Sequence, residues 1–323
     1  MTLPQSLPFN SSFSTKLPML QIAWDSTSLG ALKTCPRLYE LSILRGFQPR
    51  SLSVHLVFGL HYHAALERFD HARAEGASYE TALRAAVRYV LEATWDSAKG
   101  RPWHSDDPNK NRLTLVRTVI WYLEQFNGPE GQDSLETILL DNGKPAVELS
   151  FRLQTDYIAA DGQNFMLCGH LDRLALYQGD HIYIVDRKTT KSTISESYFA
   201  HYSPDNQMSL YDFAGRIVYD QPIRGIIVDA AQVAVTFSRF QRGFVPRNDF
   251  QRDEWYKDLG VWLSIATSYA SLGYWPQNDK ACGNYGGCAF REICSLSPNV
   301  REDWLKSKFY HRTWDPLQIR GDI

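Results

Sequence analysis

Asp172, Asp186 and Lys188 are the residues from which a reaction can be built. Side chains alternate along a strand, so Asp186 and Lys188 share a face. The apolar runs Leu171 to Tyr177 and Ile182 to Val185 flank the turn Gln178-Gly179-Asp180, which is the pattern of a β-hairpin. With the turn centred there, Asp172 falls nearly opposite Asp186, and Leu174 and Ile184 continue the pairing inward. Two carboxylates side by side repel each other, and a fold accommodates them most readily around a divalent cation. The lysine beside that cation could hold a water or a phosphate oxygen. Asp-x-Lys alone is an ordinary surface tripeptide; the hairpin and the second aspartate make it a candidate site.

Other elements must position these groups. Residues 25–46 read as two short helices, with Ser26 or Ser28 as N-cap and Pro36 in the first turn of the second. Residues 58–75 form a strong helical pattern that carries His61 and His63. Further helices cover 78–91 and 112–126, on either side of a Pro/Asp/Asn-rich loop at 100–111. From 146 the period changes: residues 147–153 alternate as a strand bearing Glu148, and 165–168 lead into the hairpin. Ser203 as cap and Pro204 at the first position open a helix on which Gln207 and Tyr211, four apart, share a face. Strands follow over 223–237, and 255–272 is a last long helix. Arg239, Phe240, Arg242, Phe244 and Arg247 interleave cations with rings, a mixture suited to a nucleic-acid strand and equally to a solvated hairpin edge.

The chain has 323 residues, 44% hydrophobic and 22% charged, with a formal net charge of -2, which argues against a uniformly basic coat. No apolar run approaches the ~20 residues of a membrane span. The Ser- and Pro-rich start, residues 1–20, reads as a loose tail rather than a signal peptide. Five cysteines without a secretory signal point to a reducing compartment and metal binding. Cys282, Cys288 and Cys294 recur at intervals of six with glycines between them, and distant Cys35 brings the thiolates to four. Four suffice for a 4Fe-4S cluster or a structural zinc. Cys168 reads as a core residue.

Gly169-His170-Leu171-Asp172 followed by Asp186-Arg187-Lys188-Thr189 resembles motifs II and III of the PD-(D/E)XK nuclease superfamily. The resemblance is nearest to the branch holding the RecB and AddB nuclease domains and the CRISPR-associated exonucleases. It implies an α/β fold: a mixed central sheet flanked by helices in a single domain over 21–323, with a helical insertion at about 76–140. Gly59, His63, Leu66 and Glu67 match the family's helical Gly-x-x-x-His-x-x-Leu-Glu. On that resemblance His63, Asp172, Asp186 and the carbonyl of Arg187 would hold Mg2+ or Mn2+. Lys188 would orient and help deprotonate the attacking water, and Gln207 and Tyr211 would contact phosphate or position water. Glu148 falls where the family often has a strand glutamate, either as a partner behind the metal ligands or as a plain strand charge. Cys35-Pro36-x-x-Tyr39 matches the segment that carries the first iron–sulfur ligand, so the quartet would staple the N-terminal helices to residues 282–294. Five residues between Cys282 and Cys288, where relatives often have two, keep zinc as the lesser alternative. The expectation is a metal-dependent deoxyribonuclease, an exonuclease acting on single-stranded DNA or DNA ends in recombination or repair. A helicase or recombination protein would be its partner, with no membrane attachment, in the cytoplasm of a prokaryote or encoded by a phage. Arg239, Phe240 and Arg242 would bind the nucleic acid. The alternative is a nucleic-acid-binding subunit with a weak site and a structural metal centre.

Overall fold

Residues 225–233 are buried without a break, as expected of a strand covered on both faces. They belong to a mixed sheet whose elements are best followed along the chain. The computed structural model describes residues 12–14, 16, 18–51, 53–129, 131 and 135–317. The first elements are β1 (Ala23–Trp24), α1 (Ser26–Thr34), α2 (Pro36–Tyr39) continuing into a π-helical turn at Glu40–Leu44, and β2 (Phe47–Pro49). Three helices follow, α3 (Val54–Ala74), α4 (Tyr79–Ala93) and α5 (Arg112–Asn127), with the short hairpin β3 (Trp95–Asp96) and β4 (Arg101–Pro102) between the last two. Then come β5 (Leu135–Thr137), β6 (Val147–Ile158), β7 (Asn164–Tyr177), β8 (His181–Thr190), α6 (Glu196–Ala200), α7 (Asn206–Val218), β9 (Ile223–Val233) and β10 (Ser238–Val245). The chain closes with α8 (Asp249–Leu272), α9 (Arg291–Ser295), α10 (Arg301–Lys308) and β11 (Phe309–His311).

The sheet runs β1-β7-β8-β9-β10, with β5 and β6 also on β7. β7–β8 and β9–β10 are antiparallel, while β1–β7 and β8–β9 are parallel. The expected α/β architecture with a mixed sheet and flanking helices is therefore present. The turn at Gln178-Gly179 is the expected one, with both residues at positive φ and Arg173 opposite Val185.

The chain divides into two compact units. One comprises Met1–Ser51, Ser150–Gly169 and Asn248–Ile323; the other comprises Leu52–Leu149 and His170–Arg247. In the second, Phe58, Tyr62, Leu66 and Phe69 recur every three or four residues, which puts one face of α3 into a core. Ala82, Ala86 and Val90 of α4, Leu115, Val119 and Leu123 of α5, and Ala231 and Val233 of β9 complete that core. The helices at 79–127 thus form one layer with α3. In the first unit Trp24 stacks on Tyr39 with ring centroids 5.1 Å apart. Leu41, Phe47, Phe290, Ile293, Leu305 and Phe309 make a second cluster, against which Cys288 and Cys294 pack.

Three local expectations are corrected. Asp25, not Ser26 or Ser28, caps α1, and Ser28 closes the capping box from the third helical position. Asp205, not Ser203, caps α7, so Pro204 lies before the helix. Both errors arise because several cap-competent side chains stand in a row and only backbone geometry selects among them. Residues 1–11 of the expected tail lie outside the described residues. Beyond them the chain is not loose, since Phe13 bridges Gln21 and Ser14 Oγ donates to Asp161 at 2.5 Å.

Candidate active site

Five elements, α3, β6, β7, β8 and α7, bring the chemistry together. His63 lies on α3 beside the buried stripe, and its Nδ1 is 3.3 Å from Asp172 Oδ2 on β7. Gly59, one turn earlier, faces Thr189 of β8 with room for a side-chain carbon, since an added Cβ would lie 3.8 Å from Thr189 Oγ1. Glu148, near the start of β6, has φ +49, a left-handed conformation that costs a non-glycine residue about 1–2 kcal/mol. It breaks the alternation of the strand. Ligand atoms of His63, Glu148 and Asp172 all lie within 4.8 Å of one another.

Beside this trio runs a chain of hydrogen bonds. Asp186 on β8 is completely buried, and Lys188 Nζ donates to its Oδ1 at 2.9 Å. Oδ2 stands 2.8 Å from the same ammonium yet accepts no hydrogen bond of its own. Lys188 also donates to Gln207 Oε1 at 2.9 Å, and Gln207 Nε2 donates to the Tyr211 hydroxyl at 2.9 Å. α7 presents both because Gly215 packs directly on β8; a Cβ there would stand 2.5 Å from Ile184 Cδ1.

Arg187 divides its roles between its two ends. Its backbone N–H donates to Asp172 Oδ2 at 3.0 Å. Its backbone also acts on His63 in the sense that favours the imidazolium, as only an acceptor carbonyl can. The side chain points into the core and pairs with Asp70 of α3 at 2.8 Å, both groups buried.

Burial dominates the electrostatics. It pushes the Asp186 carboxyl up to about 7, with Asp172 adding to the shift and Lys188 opposing it. Burial lowers His63, which Asp172 partly offsets. Burial also disfavours the Lys188 ammonium, but Asp186 and then Asp172 outweigh it and raise that group above its ordinary value. The donor set, one imidazole with carboxylate and carbonyl oxygens, suits a hard divalent ion. The bare oxygen of Asp186 and the crowded His63, Glu148 and Asp172 atoms are what such an ion would satisfy.

The expected residues separate clearly. His63, Asp172, Asp186, Lys188, Gln207, Tyr211 and the backbone of Arg187 lie in this connected set, and Glu148 joins the metal-binding trio. His61 does not; its Nδ1 faces the Tyr89 hydroxyl at 3.5 Å. Arg239 is exposed. Phe240 and Arg242, read as nucleic-acid contacts, are engaged within the unit. Phe240 packs against Tyr122 and Phe126, and Arg242 lies over the Phe126 ring, 3.5 Å from buried Asp229. Their alternation serves packing against α5. Asp70 was missed, although its place seven residues beyond His63 puts it on the same helical face.

In the first unit Cys35 is buried and Cys282, Cys288 and Cys294 are half-buried, all as free thiols. Asn278 joins two of them: its N–H donates to Cys35 Sγ at 3.3 Å, and Cys282 Sγ approaches its carbonyl at 3.9 Å. Burial raises Cys288, to which Cys282 and Cys35 add. Burial also raises Cys294, to which Cys288 and Cys35 add. The four thiols thus sense one another, but among the described residues they do not form a tight trio of the His63 kind. Cys168 is buried in the core with Ala23 and Met166.

A mixed sheet whose adjacent strands carry Asp172 and Asp-x-Lys, with a helical histidine alongside, is the arrangement of a metal-dependent nuclease. The sequence pattern of one such family matches residues 24–295, and the chain belongs to the PD-(D/E)XK nuclease superfamily. A solved structure from Eubacterium rectale, of a protein provisionally named an exonuclease, is similar at 10% identity with a TM-score of 0.47, covering 94% of each chain. No curated protein matches the chain. Among the described residues no helix is long and apolar enough to cross a membrane.

Proposed function

We propose that this protein is a Mg2+- or Mn2+-dependent deoxyribonuclease of the RecB-like branch, acting as an exonuclease on single-stranded DNA or DNA ends. The observation that carries the reading is the convergence of His63, Glu148 and Asp172 beside the connected Asp186–Lys188–Gln207–Tyr211 chain. A binding subunit with a decayed site would have no need of a buried aspartate held against its own repulsion.

His63, Glu148, Asp172, Asp186 and the Arg187 carbonyl would hold the ion, which would supply Lewis acidity at the scissile phosphate. Lys188, fixed between Asp186 and Gln207, directs its ammonium toward the attacking water or a phosphate oxygen. Its hydrogen bonds to Asp186 and Gln207 fix the ammonium where it orients the water and can help deprotonate it. Tyr211 holds the Gln207 amide so that Gln207 Oε1 stays on Lys188. The test is cleavage of end-labelled single- and double-stranded DNA with Mg2+, Mn2+ or EDTA. Loss of end label ahead of internal cuts, abolished by EDTA, is expected; cleavage unchanged in excess EDTA would reject the metal mechanism.

The cysteine quartet is proposed to hold a 4Fe-4S cluster. The influence of Cys35 and Cys282 on Cys288, that of Cys35 and Cys288 on Cys294, and the Asn278 link between Cys35 and Cys282 support it. Anaerobically purified protein should then be brown with about four irons per chain. A colourless protein with one zinc would replace the cluster without disturbing the nuclease reading.

A further inference from the structure

Lys110 lies at the end of the loop before α5 and is only 2% exposed. Among the described residues no carboxylate lies within ion-pair distance of its ammonium. Nζ donates instead to neutral acceptors, the carbonyl of Thr189 at 3.2 Å and its hydroxyl at 3.0 Å, and stands 5.3 Å from the centre of the Phe58 ring. The nearby acid, Asp107, is already engaged. Its Oδ1 accepts from the backbone N–H groups of Asn109 and Lys110 at 2.9 and 3.1 Å, and its Oδ2 takes Lys191 Nζ at 2.9 Å. Lys191 is exposed, so the Asp107-held pair opens to solvent on its side while Lys110 stays buried.

Two lysines share one carboxylate here, and a buried charge without a counter-charge is expensive. Burial and Lys191 hold the Lys110 ammonium down at about 8, against the pull of Asp107. A fold keeps such a group where an anion arrives to compensate it.

We propose that Lys110 and Lys191 form a subsite for a backbone phosphate of the nucleic-acid strand, flanking the scissile one. The proposal rests on the nuclease reading. Thr189, which Lys110 grips, directly follows Lys188, and Lys191 stands about 10 Å further along the extended chain. Lys188 and Thr189 point to opposite faces of β8, so a strand crossing the end of β8 beyond Thr190 offers one phosphate to Lys188 and a neighbour to the lysine pair. The competing explanation is a clamp that merely fastens the loop to Thr189, which would alter stability but not charge-dependent binding.

The experiment measures binding of the full chain to a fluorescent single-stranded oligonucleotide, with Ca2+ in place of Mg2+, across a range of salt. Lys110→Met and Lys191→Gln should each weaken binding, and each should reduce the slope of log K against log salt by about 0.7, the value for one lost phosphate contact. A single neutral methylphosphonate, scanned beside the cleavage position, should weaken wild-type binding at one place and cost Lys191→Gln less there. Lys191 is exposed, so that variant carries the test if Lys110→Met fails to fold. Unchanged slopes, or a methylphosphonate penalty of the same size in the variants, would overturn the subsite. Inorganic phosphate binding at these lysines with no response at any methylphosphonate would overturn its assignment to a nucleic-acid strand. Cleavage by the wild type is scored separately. Its absence would defeat the nuclease reading and the subsite together, whereas cleavage with unchanged slopes would defeat the subsite alone.

Discussion

The His63–Asp186 region and the cysteine quartet both gather side chains fit for metal, and they are built in opposite ways. The first draws on α3, β6, β7 and β8, long regular elements whose packing fixes each donor. Its atoms are hard, and they already converge, at the cost of a left-handed Glu148 and a buried Asp186. The second draws on the junction of α1 and α2, two 3-10 turns and the short α9. Its atoms are soft thiols that burial favours in their neutral form. A site that turns over must present its ligands before the ion and substrate come, so the scaffold bears the strain. A staple can let bond strength organise the loops.

Substitutions on the two sides should therefore fail differently. Asp186→Ala and Lys188→Ala should each lower cleavage by about 10³-fold or more while leaving the melting temperature close to wild type. Asp186→Ala even removes a repelled carboxylate. Near-normal cleavage in either would break the comparison at its active half. Glu148→Gln should weaken Mn2+ binding by about 10- to 100-fold in calorimetry; undiminished affinity would return Glu148 to the role of a strand charge.

On the other side the loss should appear in stability. Cys35→Ser or Cys288→Ser should lose the iron colour and lower the melting temperature by on the order of 10 °C, because the centre would close a loop from residue 35 to 282. Cys168→Ala should keep both colour and iron. Iron lost from Cys168→Ala and retained in Cys35→Ser would reassign the fourth ligand.

The smallest effect is a pH dependence. The Asp186 carboxyl titrates near 3.8 when unfolded and near 7 when folded, so between these values only the folded state holds the proton. The metal-free protein should lose stability as pH rises through that window. His63, lowered by burial, works the other way near its ordinary value, so the Asp186 contribution is the difference between wild type and Asp186→Asn. Parallel stability–pH curves for the two would deny the burial strain assigned to Asp186.

The sequence made the hairpin and its facing aspartates legible because a tight turn and alternation are local signals. Gln207 and Tyr211 were legible for the same reason, by helical spacing. Glu148 was only half legible: its place on the strand was visible, but a residue at φ +49 breaks the alternation from which its direction would be read. Phe240 and Arg242 were ambiguous because rings alternating with cations look alike on an open edge and against a helix. The Asp70–Arg187 pair joins residues 117 apart and left no local trace.

That pair has a consequence for how such a chain can drift. The middle residue of Asp-x-Lys is nominally free, since its backbone alone faces the candidate metal site. Here its guanidinium is, among the described residues, the ion-pair partner of a buried acid on the helix that carries His63. Neither position can change first without leaving a charge stranded in the core. Across relatives, positions 70 and 187 should therefore change together, an acid with arginine or two apolar residues, as a heritable couple behind a motif that spells only its outer letters.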